Sequence, residues 1–371
     1  MRVVLTGGGT GGHIYPALAV GDRLRQEDPA TELLYIGTNE GLEREIVGKR
    51  GIPFEAVRIT GFRRKLFSAH NVKTVVRFLR GVARSKKLLR EFKPDVVVGT
   101  GGFVCGPVVY AAAKLGIPTL IHEQNVIPGL TNRFLSRYVD CIAVSFKGSE
   151  AHFKKAAKVV YTGNPSASAA LRADPRKGRD SLQLPKISSI VLITGGSRGA
   201  RALNEAVLDM IPLLHSQKDV DFVWVTGEAY YETYTGKLSE MKVPDFVRVV
   251  PYLHNMPEIL AATSLVVSRA GASFLAEITA MGIPAILIPS PNVTNNHQQA
   301  NARWLQKEHA AELILENELN GAKLFKTVEK IISDPIRQEH MSRRSKSLGQ
   351  PDAAQLVIRE LLALQKGKKG I

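Results

Sequence analysis

VVLTGGGTGGHIYPALA, residues 3–19, decides the fold of this chain. Val3–Thr6 reads as a buried strand, glycines crowd the positions from Gly7 to Gly12, and apolar residues then return at helical spacing from Ile14 to about Gln26. Strand, glycine turn and helix in that order open a βαβ unit. The same order recurs half a chain later in VLITGGSRGA, residues 191–200, where Gly195–Gly199 is the turn and a helix starts at Ala200. Short apolar runs at Leu33–Ile36, Val96–Val98, Thr119–Ile121 and Ile142–Val144, then at Phe222–Val225, Val247–Val250, Leu265–Val267 and Ala285–Ile288, alternate with helical stretches. The expected fold class is therefore α/β: two Rossmann-like domains in tandem, facing a cleft lined by the carboxyl ends of both sheets. The expected boundaries are 1–162 for the first domain, 163–189 for a polar, proline-bearing linker and 190–348 for the second domain. Segment 349–371 is a closing helix after the Gly349-Gln350-Pro351 break; it can pack back on either domain, with the first as the candidate.

The 371 residues are 44% hydrophobic and 23% charged, the composition of a globular protein rather than a disordered or fibrous one. No secretory leader is read at the N-terminus. The apolar stretch that most invites comparison with a membrane span, Val96–Ala113, carries no charge but is broken by four glycines and a proline, so it reads as strand, turn and helix rather than as a span. Cys105 and Cys141 are too few for a disulfide framework, which fits a reducing compartment. The net charge of +16 favours anionic partners. Most of it is concentrated: from Arg58 to Lys93 there are twelve Lys or Arg against one acid, Glu91. Within that stretch Val72, Val75, Val76, Leu79, Val82 and Ala83 recur at helical spacing, and Lys73, Arg77, Arg80, Arg84 and Lys87 form a second stripe. Phe78 and Leu88 fall among the charges. A one-sign basic stripe with stray apolar residues suits an anionic bilayer surface better than a solvated face. Nucleic acid would match the charge, but no helix-turn-helix, zinc-finger or RNA-binding signature accompanies it.

Gly7, Gly9 and Gly12 satisfy G-x-G-x-x-G between a strand and a helix, a geometry that brings backbone N–H groups to a phosphate. A dinucleotide site would want an acid at the end of the second strand. Here that strand ends Tyr35-Ile36-Gly37-Thr38, and the loop also lacks the Lys of a P-loop. Thr100-Gly101-Gly102 and Gly195–Gly199 are further turns of the same kind, so two phosphorylated ligands are expected. His13 adjoins the first turn, and His122-Glu123-Gln124-Asn125 ends a strand without the spacing of a zinc site. Ser268–Ser273 opens the helix carrying Glu277, about 9 Å along the axis from Gly271. That spacing suits a turn on a phosphate and an acid on a ribose, and the amides of Asn296-His297-Gln298-Gln299 suit sugar hydroxyls. Asp219-Val220-Asp221 precedes its strand at the amino end and reads as an ordinary loop.

GGGTGGHIYPALA, GTGGFVCGP, HEQNVIPGLTNR, TGNP, GGSRGA, SRAGASFLAEI and NHQQANA, in this order, resemble the MurG family, membrane-associated transferases that add N-acetylglucosamine to lipid I in peptidoglycan synthesis. The resemblance spans nearly the whole chain. It implies the GT-B fold, an inverting mechanism, no cofactor and no required metal. It puts Gly8, Gly9, Gly11, Gly12, Thr100, Gly101 and Gly102 at the acceptor's diphosphate, and His13 and Asn125 at the reacting sugars. Thr10, Gly11, Gly12, Asn125, Ser166, Ser197, Leu253, Ala272, Ser273, Glu277 and Gln298 fall on the donor. Two departures stand out: Ser166, Ala167 and Ser168 follow Pro165 where the family carries Arg, and Phe274 stands where it carries Thr.

The reaction then expected is transfer from UDP-N-acetylglucosamine to the 4-hydroxyl of the muramoyl sugar of undecaprenyl-linked lipid I, forming lipid II. His13 is the candidate base, since imidazole suits proton transfer near neutral pH. The basic stripe would dock the chain peripherally on the anionic inner leaflet, at the cytoplasmic face of the cell membrane. The rival readings are a GT-B enzyme for another lipid, such as diacylglycerol, and a nicotinamide-dependent dehydrogenase.

Overall fold

β1 (Arg2–Thr6) sends Val3 and Leu5 to one face and Val4 to the other, and all three are fully buried. A strand covered on both faces needs helices on both sides, the arrangement of a parallel sheet. The structure, a computed structural model, describes residues 1–61, 69–171, 173–184, 188–214 and 219–369. It divides into two units, Met1–Ser166 with Asp352–Ile371, and Ala167–Pro351.

In the first unit α1 (Gly11–Glu27), β2 (Glu32–Gly37), α2 (Leu42–Gly48), β3 (Phe54–Ala56), α3 (Ala69–Phe92), β4 (Val96–Gly99), α4 (Cys105–Lys114), β5 (Thr119–Glu123), α5 (Leu130–Leu135), β6 (Cys141–Val144) and β7 (Val159–Tyr161) follow β1. The sheet is parallel throughout, in the order β3-β2-β1-β4-β5-β6-β7. The chain reverses its winding between β1 and β4, so the turns that follow these two strands lie side by side.

The second unit comprises α6 (Ala167–Ala170), α7 (Pro175–Ser181), β8 (Ser189–Thr194), α8 (Arg201–Met210), β9 (Val220–Val225), α9 (Tyr231–Leu238), β10 (Val247–Val250), α10 (Met256–Ala261), β11 (Leu265–Ser268), α11 (Ala272–Met281), β12 (Ala285–Leu287), α12 (His297–Lys307), β13 (Ala311–Leu313), α13 (Gly321–Ile332) and α14 (Pro335–Leu348). Its parallel sheet runs β10-β9-β8-β11-β12-β13, with the switch between β8 and β11. The closing helix α15 (Ala353–Lys369) belongs to the first unit. There Val357, Ile358 and Leu361 share a fully buried cluster with Ile14 and Leu18 of α1, and Arg23 donates to Gln355 at 2.9 Å.

Three expectations change. β3, β7 and β13 are strands of three residues each, and runs that short carry no periodicity to read from sequence. Segment 163–189 is no loose linker, because from Ala167 it folds into the second unit. Asp174 caps α7 by accepting from the Arg176 N–H, Pro175 starts the helix, and Gly178 lets it close on the backbone of Glu258.

The third change concerns α3. Phe78, Val82, Leu88 and Leu89 turn inward, Phe78 onto Tyr110 and Phe134, while Val75, Val76 and Leu79 are 48, 43 and 62% exposed. Gly81 allows the close approach to Pro107 and Val57 that selects this face. Phe78 and Leu88, which the sequence set among the charges, are thus packed, and part of the apolar stripe faces out. Arg84 pairs with Glu55 and Lys87 with Glu91. Arg63, Arg64 and Lys65 of the basic stretch lie outside the described residues, as does the side chain of Lys73.

Candidate active site

The two glycine turns of the first unit touch. The Gly8 N–H donates to the Gly101 carbonyl at 3.3 Å, and Gly102 sits directly against the Gly8 backbone. Gly101 and Gly102 have φ of +102° and +81°, which side chains with a Cβ rarely adopt. Behind them the Tyr35 hydroxyl donates to the Gly7 carbonyl at 2.7 Å. The buried Cys105 thiol accepts from the Gly101 N–H at 3.1 Å and donates to the Thr6 carbonyl at 3.0 Å; burial pushes it up to about 12, so it is a neutral spacer here. Thr100 is buried, with its N–H on the Thr6 carbonyl and its hydroxyl donating to the His13 carbonyl at 2.6 Å. Its part in the site is to hold the turn. Thr10, Gly11 and Gly12 lie at the start of α1, at the positive end of the helix dipole.

His13 lies between the two turns. Its Nδ1 is 3.0 Å from the Gly8 carbonyl, and its ring stands against Gly101, where Nε2 would be 3.1 Å from a Cβ. A carbonyl can only accept, so Nδ1 carries a proton, and whenever the ring is neutral its lone pair lies on Nε2.

The carboxyl end of β5 and the loop after it separate the four polar residues His122–Asn125 by role. His122 is buried, donates from Nε2 to the Gly163 carbonyl at 2.9 Å, and is pushed down to about 4 by burial, so it is a neutral strut. Glu123 accepts from the Asn125 and Gly129 N–H groups and from the Asn132 amide at 2.8 to 3.0 Å. Gln124 donates to the Thr100 carbonyl at 2.7 Å, tying this loop to the second glycine turn. Asn125 alone of the four is not fully buried, and Glu123 orients its side-chain amide at 3.2 Å.

In the second unit the turn after β8 leaves Ser197 exposed between Gly196 and Gly199, both at positive φ. The turn after β11 opens α11 at Gly271, with Ala272 buried and Ser273 half-buried. Arg269 is not available to a ligand: it pairs with Glu316 and donates to the Ile288 carbonyl at 3.1 Å. Farther along α11 the half-buried Glu277 has no hydrogen-bond partner among the described residues, and burial pushes its carboxyl up to about 7. Phe274 is half-buried on the same helix. Leu253 is buried, and Gln298 at the start of α12 accepts the Ser290 N–H at 2.9 Å. Ser166, which ends the first unit, is buried with no partner for its hydroxyl among the described residues. Asp221 is buried and accepts from the Ser188 hydroxyl, a structural pairing at the amino end of β9.

Residues 3–144 match the glycosyltransferase family 28 N-terminal domain, and residues 190–357 match the family's C-terminal domain. The chain belongs to glycosyltransferase family 28. A family member from Halalkalibacterium halodurans, named UDP-N-acetylglucosamine--N-acetylmuramyl-(pentapeptide) pyrophosphoryl-undecaprenol N-acetylglucosamine transferase, is 55% identical over 97% of this chain and 99% of its own length. A protein of the same name from Listeria monocytogenes is 51% identical over 99% of this chain and all of its own. The crystal structure of MurG from Acinetobacter baumannii superposes with a TM-score of 0.78 at 27% identity, over 98% of this chain and 99% of that one. The fold is accordingly the two-domain GT-B architecture of family 28.

Sequence reasoning found the glycine turns because glycine clusters at strand ends have few other uses. It missed Tyr35, Cys105 and Glu43, whose side chains meet the Gly7 carbonyl, the Gly101 N–H and the Gly9 N–H from behind, because a single tyrosine, cysteine or glutamate has no spacing that sets it apart.

Proposed function

We propose that this family 28 chain transfers N-acetylglucosamine from its UDP donor to the 4-hydroxyl of the muramoyl sugar of lipid I, giving lipid II with inversion at the anomeric carbon. The observation that carries the reading is the likeness, over nearly the whole chain, to transferases named for this donor and this lipid. The geometry supports it in each unit. Two abutting glycine turns with a histidine between them suit a diphosphate acceptor and a base. A helix start followed by a carboxylate with no hydrogen-bond partner among the described residues suits a nucleotide. The acceptor hydroxyl attacks the anomeric carbon as the bond to UDP breaks, and its proton passes to His13 Nε2. The leaving diphosphate gathers charge that Ser197 and the α11 amides at Ala272 and Ser273 stabilise. Glu277 holds the ribose, the Leu253 backbone the uracil and Gln298 the acetamido sugar. The decisive experiment is transfer of labelled N-acetylglucosamine to a lipid I analogue, with UDP-N-acetylgalactosamine as the control donor. Selective transfer is expected; transfer to diacylglycerol instead, or to neither lipid, overturns the reading.

Glu277 gives the donor site a pH dependence. Ribose hydroxyls donate to a carboxylate, so binding favours the ionised form, whereas burial favours the neutral one. Below about pH 7 UDP binding must expel a proton, and affinity is expected to fall about ten-fold per pH unit there. Calorimetry from pH 5.5 to 8 checks this, and Glu277→Gln should flatten the profile while weakening binding at pH 8. A flat profile in the unsubstituted protein removes Glu277 from the ribose.

No helix among the described residues is long and apolar enough to cross a membrane. We place the docking surface on the outward face of α3, where Val75, Val76 and Leu79 are exposed beside Arg77 and Arg80. Phe134 of α5 adjoins them across Phe78, and Leu130 is exposed on the same helix. Apolar residues rimmed by arginine fit the anionic inner leaflet where the lipid acceptor resides. Arg80→Glu should weaken binding to anionic vesicles at least five-fold, with the ~1 kcal/mol that each surface Arg contributes. Leu79→Asp should weaken it at any salt concentration. Binding indifferent to both substitutions and to salt overturns this docking face.

A further inference from the structure

Behind the first glycine turn stands a buried carboxylate set apart from the reacting groups. Glu43, in the first turn of α2, is fully buried. Its Oε1 accepts from the Thr38 N–H at 2.9 Å and from the Thr38 hydroxyl, while its Oε2 faces the Gly9 N–H at 3.4 Å. Buried carboxylates persist only where donors hold them, and these donors come from two places: the end of β2 and the turn after β1. The glycine turn is wrapped on the acid. A Cβ at Gly8 would stand 2.7 Å from Oε1, and one at Gly41 would overlap the carboxylate. On its other side the turn leans on Gly101, through the Gly8 N–H, and the Gly8 carbonyl holds His13. The carboxylate, the turn and the imidazole therefore form one stack.

We infer that Glu43 is a positioning residue for the acceptor, fixing the Gly8–Gly9 backbone and through it the His13 ring. The inference rests on the reading of the two turns as the acceptor's diphosphate site. Charge shows which kind of role is possible. An anion behind a diphosphate site repels the ligand, so Glu43 cannot be there to attract it; its contribution is geometric. The 3.4 Å approach to Gly9 is the sensitive point, since a shift of a few tenths of an ångström makes or breaks it.

Glu43→Gln tests this because it keeps the volume and the acceptor toward Thr38, yet turns an amide NH2 against the Gly9 N–H, donor facing donor. Acceptor KM is expected to rise about ten-fold, the worth of one hydrogen bond to a charged group. UDP affinity should stay close to that of the unsubstituted protein. An unchanged acceptor KM overturns the inference, as does a fall in Tm that weakens UDP and acceptor alike, which marks a merely structural acid. Should Glu43→Gln not fold, Thr38→Val carries the test: it removes the hydroxyl that holds Oε1, and acceptor KM should rise about three-fold with UDP affinity unchanged. No rise there overturns the inference too. Gly102→Ala in the same assay separates the two ideas. If it raises acceptor KM and Glu43→Gln does not, positioning by Glu43 is wrong and the diphosphate reading stands. If neither moves acceptor KM, the diphosphate reading falls as well.

Discussion

His13→Ala is expected to lower turnover by about 10²–10⁴-fold while UDP affinity stays within two-fold, the range for removal of a general base. The Gly8 carbonyl at 3.0 Å fixes the Nδ1 proton, so the ring presents Nε2 in the form a base requires. Gly101 leaves the ring its place, and the Thr100 hydroxyl, donating to the His13 carbonyl at 2.6 Å, pins the backbone beneath it. Steady-state kinetics on a lipid I analogue would measure the loss. The pH profile then separates base from bystander. The unsubstituted protein should lose kcat on the acid side as the imidazole protonates, and His13→Ala should lack that limb. A residual activity that keeps the acid limb would assign the proton to another group and leave His13 an orienting role.

Gly102→Ala should be nearly as damaging although it touches no reacting atom. At φ +81° a Cβ costs about 1–2 kcal/mol in backbone strain alone. The larger effect is steric: the methyl would meet the Gly8 carbonyl and lie 3.1 Å from the Gly8 nitrogen, which are backbone atoms with no rotamer to yield. The two turns must move apart, taking the backbone N–H groups we assign to the diphosphate and the His13 anchor with them. A misplacement near 1 Å costs about 10²-fold in kcat/KM, and that is the loss expected for the acceptor. UDP affinity should be retained, because the residues we assign to the UDP moiety itself, Ser197, Leu253, Ala272 and Glu277, all belong to the second unit. Normal acceptor kinetics in this variant would mean that the contact between the turns is incidental to catalysis.

Much of this molecule is written in local sequence. The central strands are legible because a strand buried on both faces must be a short apolar run, as Val96–Val98 and Leu265–Val267 are. Turns at switch points are legible because backbone N–H groups can crowd toward an anion only where glycine removes the side chains, as at Gly7–Gly12 and Gly195–Gly199. The order of motifs was enough to place the chain in its family. What depends on distant partners was not legible. The three-residue edge strands take their conformation from a neighbouring strand rather than from their own pattern. Helical spacing in α3 marked two stripes without saying which one faces in. That choice fell to Gly81 and Phe78, whose fit against Pro107, Tyr110 and Phe134 outweighed the apolar count and left Leu79 at the surface.

The same division runs through the site. Sequence alone determined which residues stand at the carboxyl ends of strands, because strand, turn and helix are neighbours along the chain. Only the tertiary structure decided that Gln124 ties its loop to Thr100, that His122 and Glu123 are struts while Asn125 remains accessible, and that α15 returns to cover α1. It alone set Glu43 behind the first turn. The donors that hold that carboxylate come from two different strand ends, and parallel pairing of β1 with β2 is what brings those ends together.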